Sequence, residues 1–248
     1  IITNGAERSY MTHITQEGQP IGMFYGFNVL GIATEENYKT VAPSSASSTT
    51  LQPGDLYFED VDGNGIVNDE DKRVIGSPHP NFTYGFAISL RYKDFDLRSS
   101  FNGSQGNKIL DGYDYYLYNM EGSGNQYADV AQRYRSAQNP GNGEVYRAAR
   151  GGTQSNSTRL SSFYLQDGSF LRMTNVTLGY TLPTASAQKL SLSGVRIYAA
   201  VDNPFTIAKY KGYNPEPSYD QRGNLTPGVD YGLYPLVRSF NLGLKVTF

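Results

Sequence analysis

The chain has 248 residues, of which 38% are hydrophobic, 13% aromatic and 18% charged, a composition that excludes a disordered chain. Mean hydropathy is −0.49 and no run approaches the ~20 apolar residues of a membrane-spanning helix, so a helical membrane protein is excluded. A formal charge of −2 offers no cationic footprint for nucleic acid, and zero Cys with two distant His disfavours thiolate or His-rich zinc sites.

Alternation of apolar and polar side chains predicts a series of antiparallel β-strands. In chain order they cover residues 21–31, where the pattern is weak, 81–92, 95–102, 175–180, 195–202 and 238–248. A short link at Lys93–Asp94 gives the second and third runs the form of a hairpin. The last run is an amphipathic strand of ~10 residues, the length that a tilted strand needs to cross a bilayer. Its apolar face consists of Phe240, Leu242, Leu244, Val246 and Phe248.

The connections between these strands alternate in length. Residues 32–80, 103–168 and 203–236 form long loops, whereas the links at 93–94 and 182–194 are shorter. Long loops therefore share one end of the strands, as in outer-membrane barrels, which have short periplasmic turns and long external loops. A water-soluble β-sandwich also alternates along its strands and is the alternative.

Six strands cannot close a barrel, because the smallest spanning barrels have about 8 strands and open edges are not tolerated in hydrocarbon. We therefore predict an all-β fold in which residues 1–248 form the C-terminal segment, about six strands, of a larger antiparallel transmembrane β-barrel with long extracellular loops. The missing strands are expected upstream. The chain starts at Ile1 without an initiator Met or a signal sequence, so we expect a processed product or a piece of a longer protein, whereas its end resembles a true terminus.

The acidic loop over residues 54–80 contains a calcium-loop pattern between residues 60 and 71. Calcium takes about six to eight oxygen ligands, and Gly65 permits the sharp turn that directs the early ligands inward. Asp71 replaces the usual Glu at the last ligand position, and no amphipathic helix follows, so we expect an isolated structural loop. The predicted ligands of a non-catalytic Ca²⁺ are Asp60, Asp62, Asn64, the carbonyl of Ile66, Asn68 and Asp71. An ion-free set of Asx turns is the alternative.

The loop over residues 103–168 is rich in Tyr among Gly, Asn and Gln. A Tyr ring offers a flat apolar face with a polar tip, and it suits stacking on a sugar or gripping a peptide. We predict substrate contacts for Tyr113, Tyr115, Tyr116 and Tyr118. The alternative is that these rings pack the loop onto itself or onto a neighbouring protein, as long ordered loops require.

Four charged side chains fall on the polar sides of the predicted strands: Arg91, Arg98, Arg196 and Asp202. In a barrel this side lines the interior, where such charges tune the passage of a solute or pair across strands. No carboxylate pair shares a rigid element with an acid–base partner, and the sequence lacks a nucleophile elbow, a P-loop and a Rossmann glycine pattern. We therefore expect a protein that is not an enzyme.

Several segments together resemble the C-terminal part of SusC/RagA-type TonB-dependent transporters of the Gram-negative outer membrane. In chain order they are Gly18–Gly22 with Phe24–Gly26, Pro53–Asp55 leading into Asp60–Gly65, Ile75–Phe86, Asp167–Arg172 with Asn175–Tyr180, Asp202–Phe205 with Tyr210–Glu216, and the strand that ends at Phe248. The resemblance implies a barrel of about 22 strands with an N-terminal plug, opened through TonB and capped outside by a SusD-like lipoprotein that captures substrate. The plug and the TonB box have no counterpart in these residues.

The terminal strand over 238–248 resembles the signal that the barrel-assembly machinery recognises, an amphipathic strand ending in an aromatic residue. An ordinary edge strand is the alternative. If Phe248 lies at the periplasmic end, strand parity places the loop over 54–80 outside the cell, where a bound calcium ion would rigidify it beneath the lid.

From the resemblance we expect part of a multi-pass outer-membrane transporter that imports oligosaccharides or oligopeptides. The expected partners are outer-membrane lipid, a SusD-like lipoprotein and, through the N-terminal part, the TonB complex, with no nucleic acid. A secreted, calcium-stabilised β-sandwich that binds glycan is the first alternative, and a passive porin or adhesin barrel is the second. The sequence leaves the choice between glycan and peptide open.

Overall fold

The computed structural model describes residues 2–4, 12–43, 51–149, 156, 160–217 and 225–248. The fold consists of two compact units. Unit 1 comprises Ile1–His79, Lys108–Gln166 and Glu216–Leu233. Unit 2 comprises Pro80–Asn107, Asp167–Pro215 and Tyr234–Phe248.

The described residues form strands with a few short helices. The strands are β1 Ile2–Asn4, β2 His13–Thr15, β3 Met23–Gly26, β4 Val29–Ile32, β5 Leu56–Phe58, β6 Arg73–Gly76, β7 Phe82–Tyr92, β8 Phe95–Gln105, β9 Lys108–Asp111, β10 Leu165–Asp167, β11 Phe170–Thr181, β12 Gly194–Ala208, β13 Val229–Asp230 and β14 Ser239–Thr247. The α-helices are α1 Gly112–Leu117 and α2 Thr184–Gln188, and 3-10 helices cover Asp69–Asp71, Ala128–Gln132 and Ser162–Tyr164. Among the described residues, no helix has the length and apolar character to cross a membrane.

Unit 2 is built on one antiparallel sheet with the strand order β14-β12-β11-β8-β7. These strands correspond to the five strong alternating runs of the sequence. The predicted hairpin between β7 and β8 is confirmed, because Tyr92 pairs with Phe95 across a two-residue turn. Lys93 takes a positive φ of 54° in this turn, which lets the chain reverse within two residues.

The two ends of this sheet differ in their connections. At one end, Phe82 at the start of β7 pairs with Gln105 at the end of β8, and both lead into long connections. At the other end lie the short links at 93–94 and 182–193, the second of which contains α2. This second end of the sheet is called the turn end below. The predicted segregation of long and short connections is therefore observed.

Three strands are longer than the alternation predicts. β8 continues to Gln105, β11 begins at Phe170 and β12 continues to Ala208. In β12 the alternating pattern is interrupted by Asn203, which takes a positive φ of 49°, and by the proline that follows it. The strict alternation of apolar and polar residues therefore stops at Asn203, although β12 continues to Ala208.

A β-bulge causes the same interruption in β11. Met173 and Asn175 pair with consecutive residues of β8, Phe101 and Ser100, so Thr174 is an extra residue. The Thr174 hydroxyl donates a hydrogen bond of 3.1 Å to the carbonyl oxygen of Ser100. One extra residue reverses the parity of the side chains, and this is why only half of β11 matches a single alternating pattern.

The weak run over residues 21–31 forms two short strands, β3 and β4, in unit 1. β3 belongs to the sheet β1-β2-β3-β6, whereas β4 pairs with β5. Between them Phe27 is buried and bridges Ser161. The chain therefore changes partner at Phe27, and the prediction of one continuous strand is wrong.

Unit 1 contains the segments that the sequence predicts as long loops, and they form a packed structure of their own. A third sheet has the order β10-β9-β13, with β9 and β13 parallel. One hydrophobic cluster consists of Phe27, Leu56, Phe58, Val67, Tyr118, Met120, Val130, Val145 and Tyr146, and a second consists of Phe24, Leu110, Tyr164 and Val229. Phe163 packs against both clusters and makes T-shaped ring contacts with Tyr146 and Tyr164 at 5.4 and 5.1 Å.

Candidate functional site

One face of the unit 2 sheet is apolar and exposed, and it is called the apolar face below. The exposed fraction is 87% for Leu242 and 60% for Leu90. A contiguous exposed apolar surface of this kind is rare on water-soluble monomers and marks contact with lipid or protein. Its exposed members are Phe82, Phe86, Ile88, Leu90, Tyr92, Phe95, Leu178, Ile197, Phe205, Ile207, Phe240, Leu242 and Leu244.

Aromatic rings mark both ends of the apolar face. At the turn end, Tyr92 pairs with Phe95, whose ring centroid lies 4.8 Å from that of Tyr180. At the opposite end, Phe82 and Tyr84 have ring centroids 6.0 Å apart. Aromatic girdles flanking an apolar band are the surface pattern of strands that cross a membrane.

The opposite, polar face carries small, polar and charged side chains. Arg196 of β12 donates from Nη2 and Nε to the two carboxylate oxygens of Asp96 of β8, at 2.6 and 3.1 Å. β11 lies between these strands, and its residue at this level is Gly179, whose missing side chain leaves room for the ion pair. A Cβ at Gly179 would collide with both partners. The ion pair therefore ties together three strands of the sheet.

A second polar network on this face centres on Asp202 of β12. Its carboxylate accepts hydrogen bonds from the Asn175 side chain at 2.7 Å and from the Ser239 hydroxyl and the Asn241 side chain at 3.0 Å each. These partners lie on β11 and β14. The network therefore joins the edge strand β14 to the two strands beside it. Of the four charged residues predicted for this face, Arg91 and Arg98 lie on it and are exposed.

The acidic loop brings three of its predicted ligands together. Carboxylate oxygens of Asp60, Asp62 and Asp71 lie within 4.8 Å of one another. The Asp60 carboxylate accepts hydrogen bonds from the backbone N–H groups of Gly63 and Gly65, at 2.9 and 2.8 Å. Positive φ values of 73° and 85° at these two glycines permit the turn, as the sequence pattern requires.

The other predicted ligands of the loop lie close by in sequence but serve as hydrogen-bond partners. The Asn64 side-chain oxygen accepts from the Ile66 N–H at 2.8 Å, and the Asn68 oxygen accepts from the Glu70 N–H at 2.7 Å. Asp71 is buried, and its oxygens accept from the backbone N–H groups of Val61 and Asn68. The donor set is rich in anionic and amide oxygens, which is the chemistry that Ca²⁺ selects.

The four tyrosines predicted to contact substrate have different environments. Tyr113 and Tyr116 are exposed, at 45% and 37%, and Tyr115 is partly buried against the second hydrophobic cluster. Tyr118 is buried in the first cluster, where its hydroxyl donates to Asp129 at 3.2 Å. Burial and this carboxylate raise the pKa of Tyr118. Tyr118 is therefore packed within unit 1, and its contact with substrate stays a prediction.

The predicted assembly signal forms the edge strand β14, which pairs with β12. Its apolar residues lie on the apolar face, with exposed fractions of 74% for Phe240, 65% for Leu244 and 90% for Phe248. Val246 is partly buried. The outer edge of this strand is unpaired among the described residues.

Two buried polar groups of unit 1 were missed by sequence reasoning. Asp55 is fully buried and accepts bonds of 2.6 and 3.2 Å from the Arg147 guanidinium and 2.9 Å from the Asn156 amide. Asp55 has no local sequence signal for this role, since Arg147 lies 92 positions away. His13 is also fully buried.

His13 fastens β2 to the segment before β13. Its Nε2–H donates to the Pro227 carbonyl at 3.0 Å, and its Nδ1 accepts from the Thr12 hydroxyl at 2.7 Å. Burial lowers the pKa of His13 to about 4, although the bond to Pro227 opposes this effect. The imidazole is therefore neutral at physiological pH.

Comparison with known proteins shows sequence similarity over nearly the whole chain. The chain is 37% identical over 242 residues to TonB-dependent receptor P3 of Formosa agariphila, covering 96% of the chain and 23% of that receptor. It is 31% identical over 198 residues to TonB-dependent receptor SusC of Bacteroides thetaiotaomicron, covering 79% of the chain and 18% of SusC. The chain thus spans about a quarter or less of the length of these curated relatives.

Solved structures show the same fold. The RagAB peptide importer in its open-open state superposes with a TM-score of 0.70 and 22% identity, covering 98% of the chain and 24% of that protein. Its closed-closed state gives a TM-score of 0.68. No family model matches the chain. The five-stranded sheet of unit 2 is therefore part of a β-barrel, which confirms the predicted fold class.

Proposed function

Because the chain is homologous to part of the SusC-type TonB-dependent receptors, we propose that it forms a section of the wall and external loops of an outer-membrane importer. The apolar face of unit 2 contacts lipid, and the polar face lines the interior. Residues 54–80 and 103–168 belong to extracellular loops. The substrate is an oligosaccharide or an oligopeptide, delivered by a SusD-like lipoprotein, and the energy comes through TonB from parts of the receptor outside these residues.

The observation that carries this proposal is the segregation of the two faces. The apolar face exposes large aliphatic and aromatic residues from β7 to β14, whereas glycines, hydroxyl groups and charges occupy the polar face. In water the apolar face would promote aggregation, whereas in a bilayer it would be in contact with lipid. The RagAB relative is named a peptide importer, which supports uptake of oligomers too large for passive pores.

The orientation of the sheet is tested with site-directed labels in the full-length receptor. The chain contains no Cys, so single cysteines at Leu242 and Asn241, adjacent residues of β14 on opposite faces, can carry a spin label once any Cys elsewhere in the receptor is replaced. In outer-membrane vesicles we expect oxygen, which concentrates in lipid, to relax the label at 242, and a water-soluble nickel complex to relax the label at 241. Equal access of the nickel complex to both sites would contradict the barrel orientation.

The transport proposal requires an uptake measurement. A strain lacking the receptor gene should lose import of one labelled oligomer class from a panel of glycans and peptides. The complete gene, expressed together with the adjacent lipoprotein gene, should restore that import. A strain whose uptake of every oligomer in the panel is unchanged by the deletion would contradict the proposal.

We also propose that the acidic loop holds a structural Ca²⁺ ion. The motif spacing and the convergence of Asp60, Asp62 and Asp71 support this proposal. The ion would take carboxylate oxygens from these residues, an amide oxygen from Asn64 and the carbonyl of Ile66, after a rotation of side chains that now bind backbone N–H groups. Its role is to rigidify an external loop.

Calcium is tested by elemental analysis of the purified full-length receptor. We expect about one Ca²⁺ per receptor that is lost in the double variant Asp60→Asn/Asp62→Asn. The matched control is Asp69→Asn, which removes a carboxylate of the same loop that is 83% exposed and paired with Lys72. Equal calcium contents in the double variant and the wild type would contradict the proposal.

A further inference from the structure

Asparagine followed by glycine is a chemically reactive pair. The backbone nitrogen of the glycine can attack the side-chain amide of the asparagine, because glycine has no Cβ to obstruct the approach. The reaction needs a nitrogen that is free of hydrogen bonds, an accessible amide and a chain that can bend into a succinimide ring. Within the residues that the structure describes, the pairs are Asn64–Gly65, Asn102–Gly103 and Asn142–Gly143.

The sheet of unit 2 protects the pair in β8. Asn102 and Gly103 lie between β7 and β11 and pair with residues of both strands. Gly103 is buried, and a Cβ at this position would collide with the ring of Tyr84. An extended backbone that is held from both sides cannot bend into a succinimide ring.

Hydrogen bonds protect the pair in the acidic loop. The Gly65 N–H donates to the Asp60 carboxylate at 2.8 Å, and the Asn64 amide nitrogen donates to the Asp62 carboxylate at 2.8 Å. A carboxylate stabilises the protonated form of the nitrogen that it bonds. The same carboxylates also oppose the negative charge that develops during the attack. The Gly65 nitrogen is therefore a poor nucleophile.

The third pair lies in an exposed loop of unit 1. The ends of this loop are joined by a hydrogen bond of 3.0 Å from the Tyr134 N–H to the Val145 carbonyl. Gly143 takes a positive φ of 78°, and the space that a Cβ would occupy there is open to 4 Å. Among the described residues, none accepts a hydrogen bond from the Gly143 N–H. Its nitrogen is therefore available, unlike that of Gly65.

The loop also polarises the amide that this nitrogen would attack. The Asn142 Oδ1 atom accepts from the backbone N–H groups of Glu144 and Val145, at 2.9 and 3.2 Å. Two N–H groups directed at one carbonyl oxygen stabilise the negative charge that forms on it when a nucleophile adds to the carbon. The Asn142 Nδ2 atom donates to the Gln132 side chain at 3.2 Å, close to the surface.

We propose that Asn142 is a site of spontaneous deamidation in the folded receptor. The Gly143 nitrogen loses its proton to solvent and forms a bond to Cγ of Asn142. The bond from Cγ to Nδ2 breaks, and Nδ2 takes up a proton and leaves as ammonia. One water molecule then opens the succinimide, giving aspartate or isoaspartate. Water is the only co-reactant, and the chemistry is independent of the transport role proposed above.

The modification changes both the charge and the backbone of the loop. Either product adds a carboxylate beside Glu144 and replaces the Nδ2 donor by an acceptor oxygen. Isoaspartate also lengthens the main chain by a methylene group, close to the point where the Asn142 N–H donates to the Gln132 carbonyl at 3.0 Å. We expect isoaspartate to loosen this loop and to accumulate with the age of the receptor.

Peptide mapping by mass spectrometry tests the proposal. The purified full-length receptor is incubated at mildly alkaline pH, either folded in detergent or unfolded by heating in denaturant. Digestion in water enriched in heavy oxygen then marks any conversion that occurs during the digestion itself. In the folded receptor we expect Asn142 to convert several-fold faster than Asn64 or Asn102. In the unfolded receptor the three residues should convert at similar rates.

Two variants test the role of the glycine nitrogen. Gly143→Asn keeps a residue that tolerates a positive φ but adds a side chain beside the nitrogen, so conversion of Asn142 should slow several-fold. Asp60→Ala frees the Gly65 nitrogen, so conversion of Asn64 should accelerate. Isoaspartate is identified independently by enzymatic methylation with an isoaspartyl methyltransferase, which should modify position 142 of the aged wild type.

The contrary results are equally specific. Conversion of Asn142 that is no faster than that of Asn64 and Asn102 in the folded receptor would overturn the proposal, and so would a rate that Gly143→Asn leaves unchanged. An unchanged rate at Asn64 in Asp60→Ala would contradict protection by the bonded nitrogen. If Gly143→Asn does not fold, the ranking of the three residues in the wild type still decides.

Discussion

The two units use aromatic residues in opposite ways. In unit 2, Tyr92 is 71% and Phe248 is 90% exposed, and among the described residues neither hydrophobic cluster contains a residue of the five-stranded sheet. In unit 1, Tyr146 and Tyr164 are almost fully buried, and rings of this kind form two clusters between short strands. The same residue types therefore face a proposed lipid solvent in one unit and a protein interior in the other. The two environments therefore differ in whether the aromatic rings are buried within the chain, and not in the hydrophobicity of the residue types.

Ion pairs show the same contrast. Asp55 of unit 1 is completely enclosed, and Arg147 reaches it from a partly exposed position. The Asp96–Arg196 pair of unit 2 has both side chains partly exposed on the polar face. A buried charge that loses its partner pays the full desolvation penalty, whereas an accessible charge is screened by water. Equivalent substitutions in the two units therefore test whether the burial of an ion pair determines the cost of breaking it.

The largest effect is expected on the apolar face. Ile88→Arg places a charge in the middle of β7 where we propose lipid, and charges near the bilayer midplane destabilise barrels by about 2–4 kcal/mol. Ala87→Arg is the matched control, since Ala87 is the adjacent exposed residue on the polar face. We expect the amount of folded, heat-resistant receptor in outer-membrane fractions to fall sharply for Ile88→Arg only. Similar losses of folded receptor in both variants would contradict the proposal that only the apolar face contacts lipid.

In unit 1 the corresponding change is Arg147→Met. It leaves the buried Asp55 carboxylate without its cation, and breaking a buried pair in this way costs about 3 kcal/mol. We expect hydrogen exchange to accelerate at Gly54 and Asp55, near the β4–β5 sheet, with unit 2 unaffected. Arg196→Met, the equivalent change on the polar face, should leave exchange in β12 nearly unchanged. Equal effects of the two substitutions would mean that burial does not distinguish these pairs.

These contrasts also show how far the sequence alone determines the fold. Strict alternation identified β7, most of β8 and β14 because each of these strands has one apolar and one polar side throughout. The alternating pattern missed the part of β11 before Asn175, because the extra residue Thr174 reverses which side chains face each side of the sheet. It also missed the part of β12 after Asp202, where Asn203 takes a positive φ. A bulge is invisible to a period-two pattern, although the strand continues through it.

The segments of unit 1 were less predictable for a different reason. Their short strands pair with distant partners, as when Phe27 bridges Ser161 or Arg147 reaches Asp55, and nothing local in the sequence records such pairings. The acidic loop was recognisable because its calcium-loop pattern lies within twelve consecutive residues, 60–71. The stretch of four tyrosines was recognisable as aromatic, but the sequence did not show which rings are exposed. A helix directs its side chains to different sides, so Tyr113 is exposed while Tyr118 is buried.

A smaller effect is expected from pH in unit 1. The pKa of His13 is about 4 in the folded chain, below its ordinary value of 6.5, because burial disfavours the imidazolium. Between these values the unfolded chain binds the proton first, so stability is complete above pH 6.5 and falls as the pH drops towards 4, by about 3 kcal/mol in all. We expect the melting temperature of the receptor to decline over this range, and less steeply in His13→Asn.

His79 provides the control for this pH dependence. It is exposed on the surface and bonds the Ile21 carbonyl at 2.7 Å, so His79→Asn removes the second imidazole of the chain while the buried ring of His13 is kept. If His13→Asn and the wild type lose stability in parallel between pH 6.5 and 4, the buried imidazole is not the source of the effect.

The smallest effect concerns Tyr113, an exposed tyrosine of α1 in unit 1. Tyr113→Ala should change stability by about 1 kcal/mol or less, because the ring is nearly half exposed. If Tyr113 stacks on the imported oligomer, the half-saturating concentration for uptake should rise by up to about tenfold, the equivalent of a lost aromatic contact. Uptake by Tyr113→Ala that matches the wild type at all concentrations would leave this ring without a binding role, and the predicted substrate contact at Tyr113 would then be wrong.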